Sequence, residues 1–135
     1  MQNITTFEPN ENYIFFSVLA TAKNGEPYKL VAILDSGAPS TEFSDETLQY
    51  LGFLDVPTKQ DIELKHGLQT NKYGRIVLPH VEICSHSIHN LQVYVSHFEK
   101  SWGVDVLVGL DFFRKFRTTI DYQKGQIITE PYKIV

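Results

Sequence analysis

The residue type and setting most suited to chemistry in this chain is a carboxylate at the end of an apolar run. Leu30-Val31-Ala32-Ile33-Leu34 leads directly into Asp35-Ser36-Gly37-Ala38-Pro39-Ser40-Thr41. Such an Asp can act as a general base, or as a general acid when protonated. Gly37 admits close backbone approach or unusual dihedrals. Ala38 leaves room beside the carboxylate, and the hydroxyls of Ser36, Ser40 and Thr41 can bond to nearby groups. Taken alone, the same tetrapeptide also reads as a strand ending in an ordinary Asp-Ser-Gly surface turn.

The elements around it are of strand type. Residues 13–22 are rich in aromatic and β-branched groups and end at Asn24-Gly25, a strong hairpin-turn signal. Residues 28–34 form the second strand of that hairpin. Ser44 can cap a short helix that opens with Asp45 and Glu46 and stops at Gly52. Ile62 and Leu64, then Ile76 and Leu78, alternate with polar neighbours about a loop from Gly67 to Gly74, so a long hairpin is expected there. Val81 with Ile83, and Leu91 with Val93 and Val95, keep a period of two. Residues 104–108 are apolar apart from Asp105, and Asp111 can cap a short helix over residues 112–116. Residues 118–122 and 126–129 flank a Gln123-Lys124-Gly125 turn, and residues 132–135 read as a last strand after Pro131. About nine short strands and two short helices argue for a closed or sandwich-like β domain.

The chain has 135 residues, which fits one domain spanning 1–135. Nine Phe, seven Tyr and one Trp supply a core. A net charge of −4 without a basic run argues against a nucleic-acid partner. No stretch reaches about 18 apolar residues, so no helical membrane span is expected. No signal peptide is visible, and a cytoplasmic protein is the default expectation.

Val106-Leu107-Val108-Gly109-Leu110-Asp111-Phe112-Phe113, followed by Ile120-Asp121-Tyr122 and Gly125, changes the weight of the first motif. With both motifs in this order, the chain resembles the retropepsin-like aspartic proteases. The resemblance covers most of the chain by element order and is motif-specific at residues 30–41 and 104–125. It implies an all-β, closed β-barrel of acid-protease type with two short helices and one lobe per chain. It further implies Asp35 as the catalytic carboxylate and Ser36 as the hydroxyl that locks two active-site loops together. Gly37 would offer its carbonyl to a substrate amide, with Ala38 beside it. Thr41 would brace the loop from behind, and Gly109 would be the glycine against which the loop packs. Gly67, Tyr73 and Gly74 would belong to a flap over the cleft. Two departures stand out: Pro39 has no N–H to give a substrate backbone, and Leu110 replaces the Arg of viral members, removing an ion pair that stabilises their dimer.

Hydrolysis by this route needs two carboxylates, one a base toward water and one a proton donor. Like charges about 3 Å apart cannot both ionise, so a pair shares one proton. The chain has one Asp-Ser-Gly and no other Asp-x-Gly. A homodimer with the two Asp35 side chains at its axis restores the pair, and its cleft would take a peptide or protein substrate in extended form. Residues 127–128 and 134–135 could contribute to an inter-subunit sheet or be ordinary edge strands.

No cofactor is expected. His80, Cys84 and His86 share strand parity with His89 nearby, but the spacing is not that of a standard zinc site, so no metal is expected. Solvated histidines beside a small buried cysteine are the preferred reading, and nothing around Cys84 suggests an activated thiolate. Ser36 and Ser40 lack the Gly-x-Ser-x-Gly elbow of a serine nucleophile. Trp102 reads as a loop aromatic covering the core, with a pocket wall as the alternative. The main functional rival is a non-catalytic peptide-binding or dimerisation module on the same fold.

Overall fold

The computed structural model describes residues 2–54, 64–65 and 71–133. Ten strands are described: β1 (Asn3–Thr6), β2 (Phe15–Thr21), β3 (Pro27–Leu34), β4 (Glu42–Ser44), β5 (Leu64–Lys65), β6 (Asn71–Ile83), β7 (His86–Ser96), β8 (Val106–Val108), β9 (Phe116–Asp121) and β10 (Gln126–Pro131). Two short helices interleave with them, α1 (Asp45–Tyr50) and α2 (Leu110–Phe113). None of the described helices is long and apolar enough to cross a membrane.

One sheet runs in the order β2-β3-β8-β4-β7-β6-β5, and an additional β2–β6 pairing closes it into a barrel with β5 appended. Closure removes the free sheet edges that would invite aggregation. Phe16, Val18 and Ala20 of β2 and Leu30 and Ala32 of β3 point into the barrel, as their period of two requires. Phe43, Val81, Val93, Val106 and Val108 fill the rest of the same core. A fully buried side chain of this kind contributes roughly 1.5–3 kcal/mol relative to exposure.

The β2–β3 hairpin turns at Asn24-Gly25, where Gly25 has φ +90° and the Glu26 amide donates to Asn24 Oδ1 at 2.9 Å. The β6–β7 hairpin turns at Cys84-Ser85, with φ of +50° and +63°. These primed-turn angles match the twist of the strands, although neither residue favours them. This turn also breaks the parity on which a His80–Cys84–His86 ligand set would depend. His80 lies beside His89 across the hairpin, their ring centroids 4.9 Å apart. Cys84 is buried, and burial pushes its thiol pKa up. His86 is not a solvated histidine: it stacks on Phe116 at 4.0 Å.

A second, three-stranded sheet has the order β1-β10-β9, all antiparallel. Strand β1, which is not legible in the sequence, forms along one edge of β10. Ile127 and Ile128 are therefore paired on both sides within the chain. Residues 132–133 carry no strand, and residues 134–135 lie outside the described residues. His86 Nε2 joins this sheet to the barrel, 2.9 Å from the Thr129 hydroxyl.

Asp105 is the polar exception in the β8 region, and it ties three elements together. Its carboxylate accepts the Val31 amide at 2.9 Å and the Thr47 hydroxyl at 2.7 Å. Its own amide donates to the Val31 carbonyl at 2.8 Å, and its carbonyl accepts the Ser44 amide at 2.9 Å. Strand β3, strand β4 and helix α1 are thereby held in register around the end of β8. Ser44 makes no side-chain cap to α1; Asp45 instead accepts the Glu46 amide at 2.7 Å, because a buried carboxylate needs a donor.

Two stability predictions follow from these contacts. Asp105→Ala leaves the Thr47 hydroxyl and Val31 amide without their acceptor, and is expected to lower unfolding free energy by about 2–3 kcal/mol in urea titration. Burial pushes the His86 pKa below its ordinary value. The folded chain then favours neutral imidazole, so this contribution is present above the ordinary pKa and lost as pH falls through the lowered one. Melting temperature should drop less between pH 7.5 and pH 5 in His86→Gln than in the parent chain. Equal drops would refute the coupling.

Candidate active site

Strand β3 carries Asp35 out of the barrel beside β8, and the Asp35 amide donates to the Val108 carbonyl at 3.0 Å. The chain then turns tightly: the Ala38 amide donates to the Asp35 carbonyl at 3.1 Å, and the Gly37 amide to Asp35 Oδ1 at 3.0 Å. Asp35 is half-buried, Ser36 and Gly37 are exposed, and Ala38 is buried beneath them. Gly37 is not among the glycines with positive φ. A Cβ added there would meet Asp35 Oδ1 at 3.4 Å, an ordinary contact. Unusual dihedrals, one of the two reasons considered for this glycine, are therefore not what the chain uses it for.

Gly109 is different. A Cβ there would lie 2.7 Å from the Ala38 oxygen and 2.8 Å from both the carbonyl carbon and oxygen of Ser40. Close backbone approach between the loop at residues 35–41 and the start of α2 excludes any side chain. The approach is held by backbone bonds, Leu110 amide to Ala38 carbonyl at 2.8 Å and Asp111 amide to Pro39 carbonyl at 3.1 Å.

Thr41 lies behind the loop and is 1% exposed. Its amide donates to Asp111 Oδ2 at 2.9 Å and its hydroxyl to Asp111 Oδ1 at 2.7 Å. The Gly109 amide in turn donates to Thr41 Oγ1 at 3.2 Å. Asp111 was expected to cap the helix; the N-cap position of α2 is Gly109, with no side-chain cap bond, and the Asp111 carboxylate is committed to Thr41. A tertiary partner wins over the local role because it satisfies two donors at once.

Beside Asp35 an open groove of about 710 Å³ is lined by Tyr13, Phe15, Ile33, Leu34, Ser101, Trp102, Val104 and Leu107. Trp102 is 45% exposed and forms part of this wall, the alternative considered for it, while its ring lies 6.0 Å from that of buried Phe98. Tyr13, Phe15, Ile33 and Leu107 were not singled out in the sequence. Phe15, Ile33 and Leu107 lie on apolar strands that converge on Asp35, and Tyr13 lies just before β2. A smaller hollow of about 480 Å³ lies between α1 and the segment at residues 98–105 and does not include Asp35.

The hairpin proposed as a flap is only partly described. Leu64 pairs with Lys72 and Lys65 with Asn71, and residues 66–70 lie outside the described residues. Gly67 lies outside the described residues, as does the side chain of Tyr73. Gly74 is not at the tip: it sits within β6, at a register shift between Lys72 and Gly74.

This geometry predicts that Gly109→Ala forces the loop off α2. Overpacking of this kind costs about 1–3 kcal/mol. A urea midpoint unchanged from the parent would show that the close approach is not rigid.

Comparison with known proteins agrees with the fold. Residues 20–115 match the family described as "gag-polyprotein putative aspartyl protease". No curated protein matches the chain. A crystal structure of a retropepsin-like aspartic protease from Rickettsia conorii superimposes with a TM-score of 0.66 at 18% identity, covering 96% of this chain and 90% of that one. The retroviral protease-like domain of Ddi1 from Leishmania major superimposes with a TM-score of 0.60 at 17% identity, covering 90% and 97%. The chain belongs to the gag-type aspartyl protease family and has the retropepsin-like fold.

Proposed function

We propose that this chain is one subunit of a homodimeric aspartic endopeptidase whose two Asp35 carboxylates meet at a twofold axis. The observation that carries this reading is the Asp35 loop itself. Its carboxylate is half-buried at the side of an open apolar groove, and the loop is braced from behind by Thr41 and Gly109. The chain supplies one such carboxylate, and peptide hydrolysis of this type needs two.

In the pair, one carboxylate is ionised and the other protonated. The ionised one takes a proton from a water molecule as that water attacks the scissile carbonyl carbon. The protonated one gives its proton to the carbonyl oxygen. Collapse of the resulting tetrahedral diol breaks the C–N bond, and a proton passes to the leaving amine. Exposed Ser36 is assigned the contact that ties one loop to its copy, and Gly37 the approach to the substrate backbone. The need for glycine at position 37 would then come from substrate or the second subunit, since nothing among the described residues forbids a Cβ there.

The groove favours an extended peptide with large apolar side chains near the scissile bond, because Tyr13, Phe15, Ile33, Trp102 and Leu107 offer apolar surface and few polar partners. The β5–β6 hairpin is assigned the role of flap.

Asp35→Asn is expected to reduce cleavage of a peptide library by at least about a thousandfold while the dimer persists. Cleavage at the parent rate would remove Asp35 from the mechanism. A parent chain that dimerises and binds peptides but never cleaves them would favour the binding-module reading. Activity should also decline as rising pH strips the shared proton, and a rate that climbs steadily to pH 9 would contradict the shared-proton pair.

A further inference from the structure

We propose that the second hollow, between α1 and residues 98–105, is an outlying binding site for the substrate chain. It would take peptide residues about five positions from the scissile bond that carry charges of both signs. This rests on the peptidase reading and extends it from the apolar groove to a polar surface beside it.

The floor of the hollow, about 480 Å³ in volume, is built from buried Leu30, Phe98 and Val104. Ser44 also lines it and is 4% exposed, yet its hydroxyl makes no cap bond to α1 and has no hydrogen-bond partner among the described residues. No fully buried side-chain oxygen or nitrogen among the described residues lacks a partner. The Ser44 oxygen is therefore not sealed in protein but opens on the hollow. A hydroxyl so placed needs a partner from outside the chain, water or a polar group of a ligand.

The rim is charged. Lys29, Glu46, Glu99 and Lys100 stand around the opening, and none of them makes an ion pair among the described residues. Asp105, at the edge, is already engaged by the Val31 amide and the Thr47 hydroxyl. Exposed Tyr50 adds an aromatic face. Two charges of each sign fit a chain that carries both, and match a purely anionic or purely cationic ligand poorly.

The hollow adjoins the groove, since Val104 lines both. Residues 99–103 are exposed and form a ridge between them, with Ser101 and Trp102 on the groove and Glu99, Lys100 and Gly103 on the hollow. Strand β3 sets the distance. It meets the hollow at Lys29 and Leu30, and the groove at Ile33 and Leu34 just before Asp35. A strand rises about 3.3 Å per residue, so Leu30 lies roughly 16 Å from Asp35. An extended peptide covers that distance in about five residues.

The test uses the full chain and a peptide of about eight residues with large apolar residues at its centre, alone and with about four more residues at each end. One set of flanks mixes Lys and Glu, and the other is Gly-Ser. Cleavage gives kcat and KM for all three peptides, and NMR reads the amide shifts of Ser44, Glu46, Lys100 and Gly103. Exposed ion pairs are individually weak, so the Lys-Glu flanks are expected to lower KM about five- to tenfold with kcat within twofold. Gly-Ser flanks should leave KM within about twofold, and the four amides should move with the Lys-Glu flanks only. The variant Lys29→Gln/Glu46→Gln/Glu99→Gln/Lys100→Gln should lose the advantage of those flanks, and Ser44→Ala should raise KM for the same peptide about two- to threefold. Both variants should cleave the unflanked peptide as the parent does. Equal KM for the two flank sets in the parent, or an advantage that survives neutralisation of the rim, would overturn the inference. If no peptide is cleaved, the peptidase reading fails on its own. The shifts still decide the site, which is upheld when the Lys-Glu flanks move the four amides and refuted when they do not.

Discussion

The bond between Thr41 and Asp111 is the constraint on which the rest of the site depends. It joins two segments far apart in sequence, the loop after β3 and the helix after β8. The parallel pairing of β3 with β8 brings these segments side by side, and Gly109 lets their backbones touch. Without a side chain at position 109 the gap closes; without an acceptor at position 111 the buried Thr41 donors have no partner. Each requirement is cheap alone, and together they hold one acidic loop in one shape.

The barrel serves this loop. Its inward residues set strand order, and Asp105 locks β3, β4 and α1 about the end of β8 with four hydrogen bonds. The terminal sheet shares the barrel's core through Ile127, and its Phe116 stacks on His86 of β7. Because β1 pairs with β10 inside one chain, β10 is the central strand of this sheet and β1 and β9 are its edges.

What was legible in the sequence is what local chemistry dictates. Aromatic and β-branched composition foretold β2, a short apolar run β3 and alternating apolar residues β7, and Asn24-Gly25 foretold a hairpin because few other pairs accept those dihedrals. The Cys84-Ser85 turn was hidden for the opposite reason: neither residue signals positive φ, and the two long flanking strands impose it. Four residues of mixed polarity at the start of the chain give no periodic signal, so β1 emerges only when β10 offers an edge. Gly109 and its packing against the loop were implied by the resemblance, and the fold places the loop backbone within 2.8 Å of where its Cβ would be. Asp105 and Asp111 were visible as acids but not as acceptors, since the donors they serve lie about 60 to 75 residues away in sequence and depend on register. The strand positions of the groove wall, Phe15, Ile33, Leu34 and Leu107, are apolar residues that no local rule separates from core.

The central claim is that one hydrogen is shared by two copies of one side chain. The most direct measurement is a structure of the assembly that the protein forms in solution, read at the two Asp35 side chains. A twofold arrangement with carboxylate oxygens about 3 Å apart is the result expected. Carboxylates separated by more than one water molecule in that assembly, or a strictly monomeric protein that still cleaves peptides, would contradict it.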